Sequence, residues 1–203
     1  PEVRIFAKLE GQNPTGSVKD RIALKMIEQA ELDGEISPSR TILEPTSGNT
    51  GISLAMIARL KGYKVAVVMP ENVSAERTQL LDAYGAAIIY SDGSRGTNGA
   101  IEVAKDLVEK NPHQYLMLYQ YGNQANPGAH YETTGQEIVE AVPEADMFVA
   151  GLGTGGTLMG VARRLKEHNP QIKIVAVAPE PDDFISGLWN LDEGFIPPIL
   201  DIT

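Results

Sequence analysis

The feature that most constrains this chain is the alternation, from end to end, of short apolar runs with helix-patterned stretches. Residues 3–9, 41–43, 64–69, 87–90, 115–119, 147–150 and 172–177 have strand length and favour Val, Ile, Leu and Tyr. Between them, residues 20–32, 51–60, 98–108, 130–142 and 157–166 carry apolar side chains at helical spacing. A further helix is expected to open at Ser74 as N-cap, with Leu80, Leu81 and Tyr84 inward and Arg77 where a capping box would place Glu. In the first helix Ile22, Ala23, Met26, Ile27 and Ala30 share one face. Strands separated by whole helices cannot pair as hairpins, so they must lie parallel, with helices over both faces of the sheet. The expected fold class is therefore α/β. No internal repeat or low-complexity linker interrupts the pattern.

In such sheets the chemistry sits at the carboxyl ends of the strands, in the turns that start the following helices. Three turns of this chain have unusual composition. Asn13-Pro14-Thr15-Gly16-Ser17-Val18-Lys19-Asp20-Arg21 places a lysine at a helix start. There the helix dipole disfavours a cation, which suits an amine that must be kept neutral or turned into an imine. Glu44-Pro45-Thr46-Ser47-Gly48-Asn49-Thr50-Gly51 is rich in hydroxyl, amide and backbone donors, as a carboxylate or another anion requires. Gly151-Leu152-Gly153-Thr154-Gly155-Gly156-Thr157 lets the backbone approach a phosphate at a helix N-terminus. Taken singly, each has a plainer reading: a solvated lysine beside Asp20, a capped turn, and a G-x-G-x-x-G dinucleotide turn with Glu180 as a late acidic partner.

Together the three turns resemble the cysteine synthase (O-acetylserine sulfhydrylase) and cystathionine β-synthase family of fold-type II pyridoxal-phosphate enzymes. Met69-Pro70-Glu71, Glu76-Arg77, Gln120-Tyr121-Gly122-Asn123-Gln124-Ala125-Asn126-Pro127 and His130 agree with it, and the resemblance runs over residues 3–200. It implies a tryptophan synthase β-like architecture of two parallel-sheet units with the cofactor cleft between them. A small mobile unit at residues 21–112 would close on the substrate carboxylate. Residues 1–20 and 113–203 would form the larger, phosphate-binding unit, incomplete at its C-terminal side.

The same resemblance implies that Lys19 forms the Schiff base with pyridoxal 5'-phosphate and then serves as the proton-transferring base. Asn49 would bond the ring hydroxyl oxygen, and Gly153, Thr154, Gly155, Gly156 and Thr157 would cradle the phosphate. Thr46, Ser47, Asn49 and Thr50, with Gln120, would grip the carboxylate of an amino-acid substrate. The implied reaction is β-replacement on O-acetylserine or O-phosphoserine by a sulfur donor, producing cysteine. Cystathionine formation and serine or threonine dehydration use the same kind of site. A homodimer, and docking of a serine acetyltransferase C-terminal peptide, are the partners the resemblance suggests. A nicotinamide-dependent oxidoreductase built on 151–156 is the alternative enzyme, and it leaves Lys19 and the 46–51 turn without a role.

Charge and composition narrow the field. Seventeen basic residues against 27 acidic ones, a net charge of −10, argue against a nucleic-acid partner. With no cysteine, disulfides and thiolate metal sites are excluded, and His113, His130 and His168 are too dispersed to suggest a metal site. No run approaches the ~18 apolar residues of a membrane span, so a cytoplasmic enzyme is expected. Two departures from the family pattern stand out. The glycine-rich turn that offers a serine hydroxyl to the pyridine nitrogen is not found, since Ser186 precedes the 190–197 segment that should come before that turn. This leads us to expect that segments of the natural chain lie outside the given sequence. No Arg or Lys follows Lys173, and Trp189 stands where O-phosphoserine users tend to place a cation. That leans towards O-acetylserine or serine.

Overall fold

Parallel pairing is what the alternation demanded, and the computed structural model, which describes residues 3–46, 48–181, 183 and 185–201, shows it in two sheets. Strands β1 (Thr41–Pro45), β2 (Lys64–Pro70), β3 (Ala87–Ser91) and β4 (Tyr115–Met117) form one sheet in the order β3-β2-β1-β4. All its pairs are parallel, with Thr41 opposite Lys64 and Leu43 opposite Met117. Strands β5 (Met147–Gly151) and β6 (Lys173–Val177) form the second.

The strand period of two sorts β1 and β2 between two cores. Ile42, Val65, Val67 and Met69 enter one, packed with α1 (Lys19–Leu32) and α2 (Asn49–Lys61). Leu43, Ala66 and Val68 enter the other, against Ala100 and Ala104 of α4 (Gly96–Lys110). Every member of the expected α1 face is at most 4% exposed. Helix α3 (Ala75–Tyr84) buries Leu81 but leaves Leu80 45% exposed, and Ser74 takes the N-cap position without closing the cap through its hydroxyl. In the second sheet Phe148 and Ile174 pack with Val161 and Leu165 of α7 (Gly156–His168), whereas Met147, Val149 and Val177 on the other face are about half exposed.

Some expectations need correction. Residues 3–9 form no strand: Val3 and Ile5 are 85% and 89% exposed, and no neighbouring backbone completes a ladder among the described residues. β4 stops at Met117, because Tyr119 takes a left-handed φ of 57°. A boundary at residue 112 would separate β4 from its partner β1. The helix expected at 130–142 begins earlier, as α5 (Ala125–Ala129), and reaches α6 (Gly135–Ala141) through a π turn, His130–Thr134. There the Thr133 hydroxyl donates to the Ala129 carbonyl at 2.7 Å, competing with the helical bond that carbonyl would accept.

One ion-pair network fixes the N-terminal segment. The Arg21 guanidinium donates to both oxygens of Glu10 and both of Glu137, and Lys8 adds a 2.5 Å contact to Glu137. The Arg21 bonds hold the Glu137 carboxyl down at about 2. A depressed carboxylate stabilises the fold above its unfolded value of about 4.5 and loses that contribution as pH falls through about 2. The melting-temperature gap between the parent and Arg21→Met should therefore be open at pH 6 and close between about pH 4.5 and 2. A gap independent of pH would show that the network contributes only packing.

Candidate active site

Parallel strands deliver their carboxyl ends to the same side, and here the ends of both sheets face one cleft of about 410 Å³. Lys19, Thr46, Asn49, Thr50, Gln120 and Thr154 line it together, although up to 135 positions separate them in sequence. Gly153, Gly155, Gly156 and Thr157 belong to the turn around Thr154 and do not themselves line the cleft. Ser47 lies outside the described residues. Glu180, the acidic partner in the dinucleotide reading, is exposed and also outside the cleft lining.

Lys19 is the first residue of α1 and is half-buried. Burial pulls its pKa below the ordinary lysine value, and among the described residues its amine has no hydrogen bond or ion pair. Desolvation beside the positive end of a helix favours a neutral, nucleophilic amine. The neighbouring Asp20 holds the turn in place. Its carboxylate accepts from Thr15 N–H at 2.7 Å, Thr15 Oγ1 at 2.5 Å and Ser53 Oγ of α2 at 2.6 Å.

The second turn leaves β1 at Thr46, which is buried, and enters α2 through Gly48. Thr50 Oγ1 donates to Gln120 Oε1 at 2.7 Å, and among the described residues the Gln120 amide nitrogen keeps both of its N–H donors. The loop that carries Gln120 is held by Glu44. Glu44 Oε2 accepts from Tyr119 N–H at 2.7 Å and its Oε1 from Gln120 N–H at 2.9 Å. Glu44 is fully buried, which pushes its carboxyl up to about 8 against the opposing pull of those two bonds.

The third turn needs its glycines. Gly155 has φ 88°, a left-handed value that side chains rarely adopt, and it starts α7. A methyl group on Gly156 would overlap Asn126 Oδ1, and one on Gly153 would come within 2.5 Å of the Gly187 carbonyl. Asn126 is wholly buried and ties two turns together. Its Nδ2 donates to the Gln120 carbonyl at 2.8 Å and to Thr154 Oγ1 at 3.0 Å, while among the described residues its Oδ1 has no partner. His130, 1% exposed, joins Thr134 Oγ1 through Nδ1 at 2.9 Å and Thr157 Oγ1 through Nε2 at 3.1 Å. Burial, and then the nearby Lys19 charge, lower its pKa to about 3, so the ring is neutral.

These residues fit the cofactor that the resemblance implies. A desolvated amine can meet an aldehyde, a glycine cradle at the N-terminus of a 13-residue helix can take a phosphate, and the 46–50 turn offers donors to a carboxylate. Ser186 lines the cleft, and its hydroxyl accepts from Arg77 Nη2 at 3.2 Å. The loop thought to lack a cation thus receives Arg77 from α3, across 109 residues of sequence. Trp189 packs at the cleft edge, its ring 6.3 Å from Tyr121 and 5.3 Å from Phe195.

Asp20, Glu44, Asn126 and His130 hold the site, yet sequence reasoning gave none of them a role. For Glu44 a signal existed: a carboxylate inside the buried strand Thr41–Pro45 needs partners.

Comparison with known proteins shows the family. Residues 1–197 match the family described as pyridoxal-phosphate dependent enzyme. A cysteine synthase of Flavobacterium sp. is 48% identical over 207 residues, covering 98% of this chain and 67% of the relative. One from Staphylococcus aureus is 50% identical over 206 residues, covering 97% and 66%. The crystal structure of cysteine synthase from Entamoeba histolytica superposes with a TM-score of 0.89 at 40% identity, covering 96% of this chain and 60% of that one. That of an O-ureido-L-serine synthase gives a TM-score of 0.87 at 40% identity, covering 96% and 64%. The chain thus spans about two thirds of the length of the curated relatives it matches.

Proposed function

We propose, from the premise that the chain belongs to the pyridoxal-phosphate dependent enzyme family and resembles its cysteine synthases, that it performs β-replacement on an O-activated serine with a sulfur nucleophile, giving cysteine. The observation that carries this reading is the convergence of the Lys19 amine, the 46–50 turn with Gln120, and Thr154 of the glycine turn on one cleft.

When bound, the cofactor supplies an electron sink for negative charge developing at the substrate Cα. Lys19 anchors it and then moves the α-proton at Nζ; its lowered pKa favours the neutral form that accepts a proton. Thr46, Ser47, Asn49, Thr50 and Gln120 would orient the carboxylate, and Asn49 would also hydrogen-bond the cofactor's ring hydroxyl oxygen. Gly153, Thr154, Gly155, Gly156 and Thr157 would hold the phosphate, with Asn126 and neutral His130 fixing the threonines. Closure of the unit carrying the four-stranded sheet excludes water while the proton moves. Its boundary is better drawn after β4 than at residue 112, given the β1–β4 pairing. Following the same resemblance, we place the protein in the cytoplasm as a homodimer whose cleft accepts the C-terminal peptide of a serine acetyltransferase.

The purified protein should be yellow with bound cofactor, and borohydride should fix the cofactor to the peptide containing Lys19. Steady-state rates with O-acetylserine, O-phosphoserine and serine, each with sulfide and with homocysteine, should favour an O-activated serine with sulfide. Faster turnover of serine with homocysteine would move the assignment to cystathionine synthesis. A colourless protein without an adduct would end the whole reading.

A further inference from the structure

Glu44 sits where a strand of this sheet would ordinarily carry an apolar residue. Its neighbours Ile42 and Leu43 are fully buried, and so is Glu44 itself. No cation pairs with it among the described residues. A buried carboxylate without a countercharge is costly, and an apolar side chain would serve the fold at less expense. The geometry shows what the carboxylate does instead. Backbone pairing between β1 and β4 ends at Leu43 and Met117. One residue further along β1, the Glu44 side chain takes over and accepts the N–H groups of Tyr119 and Gln120, one on each oxygen. The loop turns there with Tyr119 at φ 57°. Two residues beyond Glu44, Thr46 opens the turn assigned to the substrate carboxylate.

Gln120 is consequently held at three points. Its N–H is bound by Glu44, its carbonyl by Asn126 Nδ2 and its Oε1 by Thr50 Oγ1. Among the described residues its Nε2 donor pair, at the cleft, has no partner.

We infer that Glu44 is a positioning residue for amino-acid recognition: its carboxylate fixes the Gln120 loop in register with the 46–50 turn, so that donors from two strands meet one ligand carboxylate. The inference rests on the reading of that turn as the carboxylate site. Only the ionised group can accept two N–H bonds with both oxygens unencumbered; protonation puts a hydrogen on one of them. Among the described residues the titratable groups facing it are the Tyr119 and Tyr121 phenols, both raised by burial and so neutral near pH 8, with Lys105 of α4 beyond the Tyr119 ring at 5.3 Å. The grip should therefore tighten as pH rises through about 8.

The test measures L-serine binding to the cofactor-loaded protein by calorimetry at about pH 9, where the Glu44 carboxyl is ionised. Glu44→Gln keeps one acceptor and turns an N–H₂ towards the other amide, and should weaken binding about tenfold, or about 1.4 kcal/mol. In a Gln120→Ala background the same change should cost less than about twofold, because its effect runs through Gln120. Equal losses in both backgrounds would overturn the inference, as would unchanged binding in Glu44→Gln. Absence of L-serine binding in the parent would instead overturn the carboxylate reading beneath it. Should Glu44→Gln not fold, the parent decides the matter. Amide-exchange protection at Tyr119 and Gln120, corrected for intrinsic rates, should rise several-fold between about pH 7 and 9, and flat protection would overturn the inference.

Discussion

Lys19→Ala is expected to lower turnover by at least about 10³-fold while leaving the fold intact. Proton transfer by a positioned base contributes about 10²–10⁴-fold, and Lys19 is also the residue assigned to hold the cofactor covalently, so the two losses combine. The fold should not suffer, because among the described residues the Lys19 amine holds no other residue, and Ala is a good helix former at the start of α1. Asp20 keeps the turn tied to Thr15 and Ser53 whatever stands at position 19. The variant should still take up cofactor through the glycine turn, more weakly, and borohydride should no longer fix it to the chain. Lys19→Arg separates charge from chemistry: it restores a cation but not a titratable amine, and should be equally inactive. Turnover within tenfold of the parent in either variant would remove Lys19 from the reaction.

The sequence made the α/β class legible because its signals are local. The α1 face spans two turns of helix around Ile22 and Ile27, and the β2 run is apolar at every position that the two cores require. The three turns were legible for a related reason, since glycine and hydroxyl clusters at strand ends mark where backbone and ligand approach. Illegible features depended on partners distant in sequence. Residues 3–9 have strand composition, but a strand exists only where another backbone completes the ladder, and none does so among the described residues. The π turn at His130 follows from one threonine hydroxyl competing for one carbonyl. Arg77 meets Ser186 through the fold alone, so a search for cations near residue 187 along the sequence could not find it. The supporting residues were hidden in another way. Asn126 and His130 are among the residues that carry the family resemblance, but only packing shows that they connect one turn to the next.

That connectivity makes Gly156→Ala the other substitution with a large expected effect. The added methyl would overlap Asn126 Oδ1 and crowd Asn126 Cγ as well. Asn126 is wholly buried and cannot yield by swinging into solvent, and any rotation breaks its bonds to the Gln120 carbonyl and Thr154 Oγ1. Overpacking of this kind costs about 1–3 kcal/mol, and each lost hydrogen bond adds about 1. Thr154 belongs to the phosphate turn and Gln120 to the carboxylate site, so cofactor affinity should fall by about 100-fold or more, equivalent to about 2.7 kcal/mol, and amino-acid affinity should fall with it. Gly128→Ala provides the contrast. It lies in α5 with nothing within 4 Å of the new methyl, and should be neutral or stabilising by up to about 1 kcal/mol. If the damage passes through Asn126, then Gly156→Ala should cost little more once Asn126→Ala has removed the obstructing amide. Full additivity of the two changes would instead locate the damage in the backbone of the turn, and would leave Asn126 a bystander to the joint between the two sites.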